Sequence, residues 1–97
     1  MEHTEEDINV VWKKGTAVLN VDPNVWRKDD CGAWISRAKY GTRESDYGWE
    51  IDHISPDGPD HLSNWRPLQW KNNVDKSDGK LKCNVTSNSN RNVEASR

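Results

Sequence analysis

Phenylalanine is absent from the 97-residue chain, methionine occurs once, and apolar residues make up only 32% of the total. A chain of this length supports one hydrophobic core and seldom more, and a mean hydropathy of −1.11 makes that core small. Six tryptophans and two tyrosines must carry much of the burial, at roughly 150–250 Å² per aromatic side chain. With so little buried carbon, a bound ligand or metal would add noticeably to a marginal stability.

Long apolar runs are missing as well. No stretch approaches the roughly 18 residues of a membrane helix, and the acidic start lacks the basic region and apolar segment of a signal peptide. These absences predict a cytoplasmic protein with no membrane partner, and they make the Asn84-Val85-Thr86 glycosylation pattern a chance match. Cysteine is scarce. Cys31 and Cys83 lie far apart with no CxxC partner, so neither a structural zinc nor a disulfide framework is expected, and both are read as free, largely buried thiols.

An excess of positive charge is also lacking: the formal net charge of −2 argues against an evenly basic coat for nucleic acid. The charges are unevenly spread, however. Glu2, Glu5, Glu6 and Asp7 fall in the first seven residues, and without them 12 acidic residues face 14 basic ones, a remainder of about +2 that suits a local basic face.

What is present divides the chain into three. Residues 1–7 read as a mobile acidic tail, residues 8–83 as one domain, and the Asn/Ser-rich residues 84–97, with only Val85, Val93 and Ala95 apolar, as a disordered polar tail. Helix and strand stay open for 8–21, Asp22-Pro23-Asn24 is a turn, and Val25 to Asp30 reads as a surface loop or strand end. Partial alternation over Ala33 to Tyr40 predicts a strand turning at Gly41-Thr42, with Tyr47 to Asp52 as its hairpin partner. In that second run Trp49 and Ile51 share one face, Glu50 and Asp52 the other. Pro56 to Ser63 has loop chemistry, Asn64 to Leu68 reads as a short strand that Pro67 confines to an edge, and Gln69 to Asp78 reads as a helix stopped by Gly79. The expected class is α+β, in the order strand, loop, strand, helix from residue 47 onward.

Chemistry concentrates in this last region. If the two strands and the helix pack together, the Asp52 carboxylate and Asn73 amide face one small volume, and two such hard oxygens with water suit Mg²⁺ or Mn²⁺. His53 has the pKa range to take a proton from water. Asn64, across the loop, is placed to hold the backbone that orients His53. An Asp-His pair alone is ordinarily a solvated turn; its spacing to Asn64 and Asn73 gives it functional weight.

Asp52-His53-Ile54-x-Pro56, then Asn64, then Asn73 with Lys76-Ser77-Asp78 beyond it, resembles the HNH endonucleases of the ββα-metal class over roughly residues 47–79. The resemblance implies a two-stranded antiparallel hairpin packed on a helix, here with an N-terminal extension. It implies that His53 is the general base, that Asp52 and Asn73 bind one divalent metal, and that Asn64 fixes the loop. The Asn-x-x-Lys spacing selects Asn73 over its neighbour Asn72. The CxxC pairs that bind structural zinc in many members are missing, so tryptophan packing must hold the hairpin.

The expected activity is metal-dependent hydrolysis of DNA phosphodiester bonds, most simply of double-stranded DNA, in a bacterial or phage-encoded protein. Lys76, Arg66, Arg37 and Lys39 are candidate phosphate contacts, although each has a bland reading as a solvated charge. His61 reads as a loop-surface residue, Glu50 as an exposed strand residue or an acceptor behind the metal, and Trp65 and Trp70 as core. One site cuts one strand, so a homodimer is one route to a double-strand break. The alternative function is a non-catalytic nucleic-acid-binding module on the same scaffold.

Overall fold

The computed structural model describes residues 3–74 and 80–95, which form a mixed α+β fold containing three antiparallel two-stranded sheets. Helix α1 (Glu5–Trp12) starts at a capping box: the Asp7 amide donates to the Thr4 hydroxyl and the Thr4 amide to the Asp7 carboxylate. Residues 5–7 of the segment expected to be a mobile acidic tail are therefore the first turn of a helix. Glu5, Glu6 and Asp7 occupy its first turn, where negative charge complements the helix dipole. The far end of α1 buries Val11 and Trp12, and Lys14 just beyond it donates to the carbonyls of Leu62 and Trp65.

Strand β1 (Trp26–Lys28) pairs with β2 (Trp34–Ser36), so the expected pairing of residues 33–40 with 47–52 does not form. The reason lies in the intervening turn. The Asp29 carboxylate accepts from the Cys31 and Ala33 amides at 2.9 Å each, and Gly32 takes φ 79°, which closes β1 back onto β2. Between β2 and the next strand there remain a Ser36-to-Tyr47 backbone bond and an isolated parallel bridge between Tyr40 and Trp49.

Strand β3 (Trp49–His53) pairs in antiparallel register with β4 (Trp65–Gln69), running from Trp49 opposite Gln69 to His53 opposite Trp65. Pro67 is tolerated opposite Ile51 because each strand of a two-stranded sheet has a free edge. Helix α2 (Trp70–Val74) follows without a loop. The remainder of the helix expected to reach residue 78, its stop at Gly79, and Lys76 lie outside the described residues. One face of the β3–β4 hairpin meets α1 in a core of Val11, Trp12, Ile35, Trp49 and Trp65, edged by Ile8, Tyr40, Ile51 and Leu62. Trp12 and Tyr40 pack on Trp49 with ring centroids 5.3 and 4.9 Å away.

Residues 84–95 are not a disordered tail. They form β5 (Val85–Asn88) and β6 (Arg91–Glu94), joined by a two-residue turn with Ser89 at φ 57°. Its polar side chains act as partners for backbone elsewhere: the Asn92 amide accepts from the Trp34 N–H at 2.6 Å and donates to the Trp34 carbonyl at 2.8 Å. The Thr86 and Ser87 hydroxyls donate to the carbonyls of Cys31 and Gly32. This docking brings the two cysteines together, and Cys31 and Cys83 form a disulfide with their Cα atoms 5.5 Å apart. The expectation of two free, buried thiols is thus wrong on both counts, since Cys83 is exposed and no free cysteine occurs among the described residues. No described helix is long and apolar enough to cross a membrane.

Candidate functional site

The β3–β4 hairpin and α2 carry all four of the residues singled out by spacing. Alternation along β3 separates them: Glu50 and Asp52 project from one face, Trp49, Ile51 and His53 from the other. The pair Asp52-His53 therefore straddles the strand, and its two side chains meet different neighbours.

On the His53 side, Nε2 lies 3.0 Å from Asp60 Oδ1, an oxygen that also accepts from the Trp65 indole N–H at 3.0 Å. His53 sits opposite Trp65 in the register, so Asp60 spans both strand ends from the loop. Its bond to His53, with that to Trp65 adding, holds the Asp60 carboxyl below its ordinary range. A neutral imidazole that donates Nε2–H to this carboxylate carries its lone pair on Nδ1.

The loop itself is tied by Asn64. Its side-chain carbonyl accepts from the Ser55 amide at 2.9 Å, and its amide donates to the carbonyls of Ser55 at 2.9 Å and Pro59 at 3.0 Å. The Ile54 amide donates to the Asn64 carbonyl at 2.8 Å. Gly58 is needed here: a Cβ at that position would sit 2.9 Å from Asn64 Nδ2. Asn64 is buried and closes the chain that leaves His53 onto the start of β4.

On the opposite face Asp52 is buried and its Oδ2 accepts from Arg66 Nε at 2.8 Å, the two residues being directly paired across the strands. Arg66 Nη1 also reaches Asp30 Oδ2 at 3.4 Å. Asn73 donates to Glu50 Oε1 at 2.9 Å, and Glu50 takes two bonds from Arg43 at 2.7 and 3.0 Å. Arg43 holds the Glu50 carboxyl below its usual value against the opposing effect of partial burial, and Asn73 lowers it further. On this face Asp52 contacts Arg66, and Asn73 contacts Glu50, the strand neighbour two residues before Asp52.

Among the described residues no three His, Cys, Asp or Glu side chains are grouped to hold a metal. The face of Glu50, Asp52 and Asn73 nevertheless offers hard oxygen donors of the type Mg²⁺ and Mn²⁺ select. Asp52 already has its charge balanced by a cation, the Arg66 guanidinium. Asp52 and Asn73 therefore fit a divalent ion by donor chemistry, with Arg66 occupying the cationic role beside Asp52.

The other candidates are dispersed. Asn72 is fully buried in a structural network, donating to Asp29 and to the Val85 carbonyl and accepting from the Asn84 and Val85 amides. Arg37 bonds the side chains of Asn24 and Asn9, whereas Lys39 is exposed on a short 3-10 turn (Arg37–Lys39). His61 accepts from the Ser63 amide at a 3-10 turn (Leu62–Asn64). Trp65 is buried; Trp70 is partly exposed and donates to the Ser45 carbonyl. Sequence reasoning missed Asp60 as the partner of His53, and Asp29, read as part of a surface segment, is buried with four hydrogen bonds. The Asp-Asp-Cys-Gly run has the composition of a tight turn, a signal the reading of Val25 to Asp30 as a surface loop or strand end did not use, and nothing local marks the burial of Asp29.

Comparison with known proteins finds no matching family model, no matching curated protein and no matching solved structure.

Proposed function

We propose that the chain is a metal-dependent HNH-type endonuclease whose ββα-metal core is the β3–β4 hairpin with α2, hydrolysing DNA phosphodiester bonds. The observation that carries this reading is the pairing of His53 with Asp60 at one end of a loop that Asn64 clamps. A general base needs a fixed ring, and the Asp60 carboxylate on Nε2 fixes the orientation and the tautomer of His53. His53 removes a proton from the attacking water, Asp60 stabilises the imidazolium that results, and Asn64 fixes the backbone on which the ring is mounted. Asp52 and Asn73 would hold one Mg²⁺ or Mn²⁺, and that ion, when bound, supplies charge neutralisation at the phosphoryl oxygens and the leaving alkoxide. Lys39, with Arg43 and Arg66 once drawn from their carboxylates, would contact phosphates and position a duplex.

Supercoiled plasmid incubated with Mg²⁺ or Mn²⁺ should yield nicked or linear product, with His53→Ala slowed at least ~100-fold, the scale of a lost general base. If the wild type cuts no better than His53→Ala, the nuclease reading is lost. The second reading, a non-catalytic nucleic-acid-binding module, draws on the Arg66 contact that holds Asp52. It requires duplex binding without cleavage under any divalent metal, undiminished in an Asp52→Ala, Asn73→Ala double variant.

A further inference from the structure

We propose that Arg66 is a built-in counter-cation that holds Asp52 in the metal-free protein and gives way to the divalent ion, so that metal binding is a cation exchange at one carboxylate. The proposal rests on the nuclease reading of Asp52. It starts from burial: the Asp52 side chain is 6% exposed, and an ionised carboxylate so placed requires a compensating charge whether or not metal is present. The β3–β4 register sets position 66 directly across from position 52, so the compensating group arrives on the partner strand. Arg66 fills it with Nε 2.8 Å from Oδ2 while its own side chain is 13% exposed.

A guanidinium and a divalent cation compete for the same oxygen, because each gains its stability from the same negative charge. The released side chain has a second anchor within reach. Asp30 Oδ2 already lies 3.4 Å from Nη1, and its side chain is 55% exposed, so the guanidinium can shift toward the surface without losing an acid partner. At the surface the same fork is available to a phosphate oxygen, which it fits in a two-bonded geometry. Metal arrival would thereby also present an arginine to the substrate, linking the ion and the polyanion at one side chain.

The test is calorimetric titration of Mn²⁺ into the wild-type protein and into Arg66→Gln, which removes the charge but keeps a donor for Asp52. Exchange predicts at least tenfold tighter Mn²⁺ binding by Arg66→Gln. Equal or weaker binding by the variant overturns the exchange and leaves the metal site standing, whereas absence of Mn²⁺ binding by both proteins overturns the metal site as well. Should Arg66→Gln fail to fold, the wild type alone decides. In ¹⁵N-resolved spectra, Mg²⁺ should move the Arg66 Nε–H resonance and speed its exchange with solvent at least tenfold. A shift of the Asn73 side-chain amide with Arg66 unchanged would count against the proposal.

Discussion

Two side chains, Asn64 and Asp29, carry more of the local geometry than their chemistry suggests. Asn64 satisfies one backbone amide and two carbonyls of the loop that follows β3. Asn64→Ala removes three part-buried hydrogen bonds, each contributing about 0.5–1.5 kcal/mol net; urea unfolding should show a loss of about 1–3 kcal/mol, with cleavage reduced further because His53 loses its mount. Asp29 is held by two amides on one oxygen and by the Gln69 amide and Asn72 on the other. Burial raises its carboxyl above the ordinary value while these bonds act to lower it. Asp29→Asn sets an N–H against at least one pair of N–H donors, and a denaturation midpoint lower by the equivalent of ~2–4 kcal/mol is expected.

Glu50 makes a pH test possible at the same scale. Its carboxyl is held below the ordinary 4.5, first by Arg43. A depressed acid binds fewer protons folded than unfolded, so its contribution to stability is complete above the unfolded value and fades as pH falls through the folded one. Carboxyl ¹³C titration should place the Glu50 midpoint below 4.5 in the wild type and closer to it in Arg43→Ala. An unchanged midpoint in that variant would mean that Arg43 is not the cause.

Among the elements, legibility followed the source of stabilisation. Strands β3 and β4 lie within a residue or two of their sequence-derived spans, because alternation of Trp49 and Ile51 with Glu50 and Asp52, and the Asp-Gly-Pro-Asp loop, are local signals. Helix α1 was hidden by its charge: Glu5, Glu6 and Asp7 look like a solvated run unless Thr4 is recognised as their cap. The β5–β6 hairpin was illegible for another reason. Its attachments are amides and hydroxyls that bond to the backbone of Cys31, Gly32 and Trp34, partners about 55 residues away that no local pattern reveals. Thr4→Ala should cost about 1 kcal/mol, the usual loss on removing an N-cap, read as a lower melting temperature with cleavage unchanged.

At the scale of the whole molecule, the three two-stranded sheets among the described residues are each too small to persist alone, so their junctions set whether the site exists. One junction is the contact of α1 with β3 and β4 through Trp12, Trp49 and Trp65. The other is polar: Asp29 from the β1–β2 turn meets Gln69 at the end of β4 and Asn72 on α2, and Asn72 in turn holds the first residues of the C-terminal hairpin. The disulfide closes that second junction covalently across a sequence separation of 52. By loop-closure entropy such a link contributes about 4 kcal/mol through the unfolded chain, within a typical range of ~2–4. Cys31→Ser with Cys83→Ser should therefore unfold at lower denaturant than the oxidised wild type, and reductant should move the wild type to the same place. Removal of residues 84–97 is expected to be worse than loss of the disulfide, because it also strips the partners of Asn72 and of the Trp34 backbone. The truncated chain should melt without a sharp transition and lose both metal binding and cleavage. A cooperative melt close to that of the reduced full-length protein would show instead that the α1–β3–β4–α2 unit stands without its C-terminal hairpin.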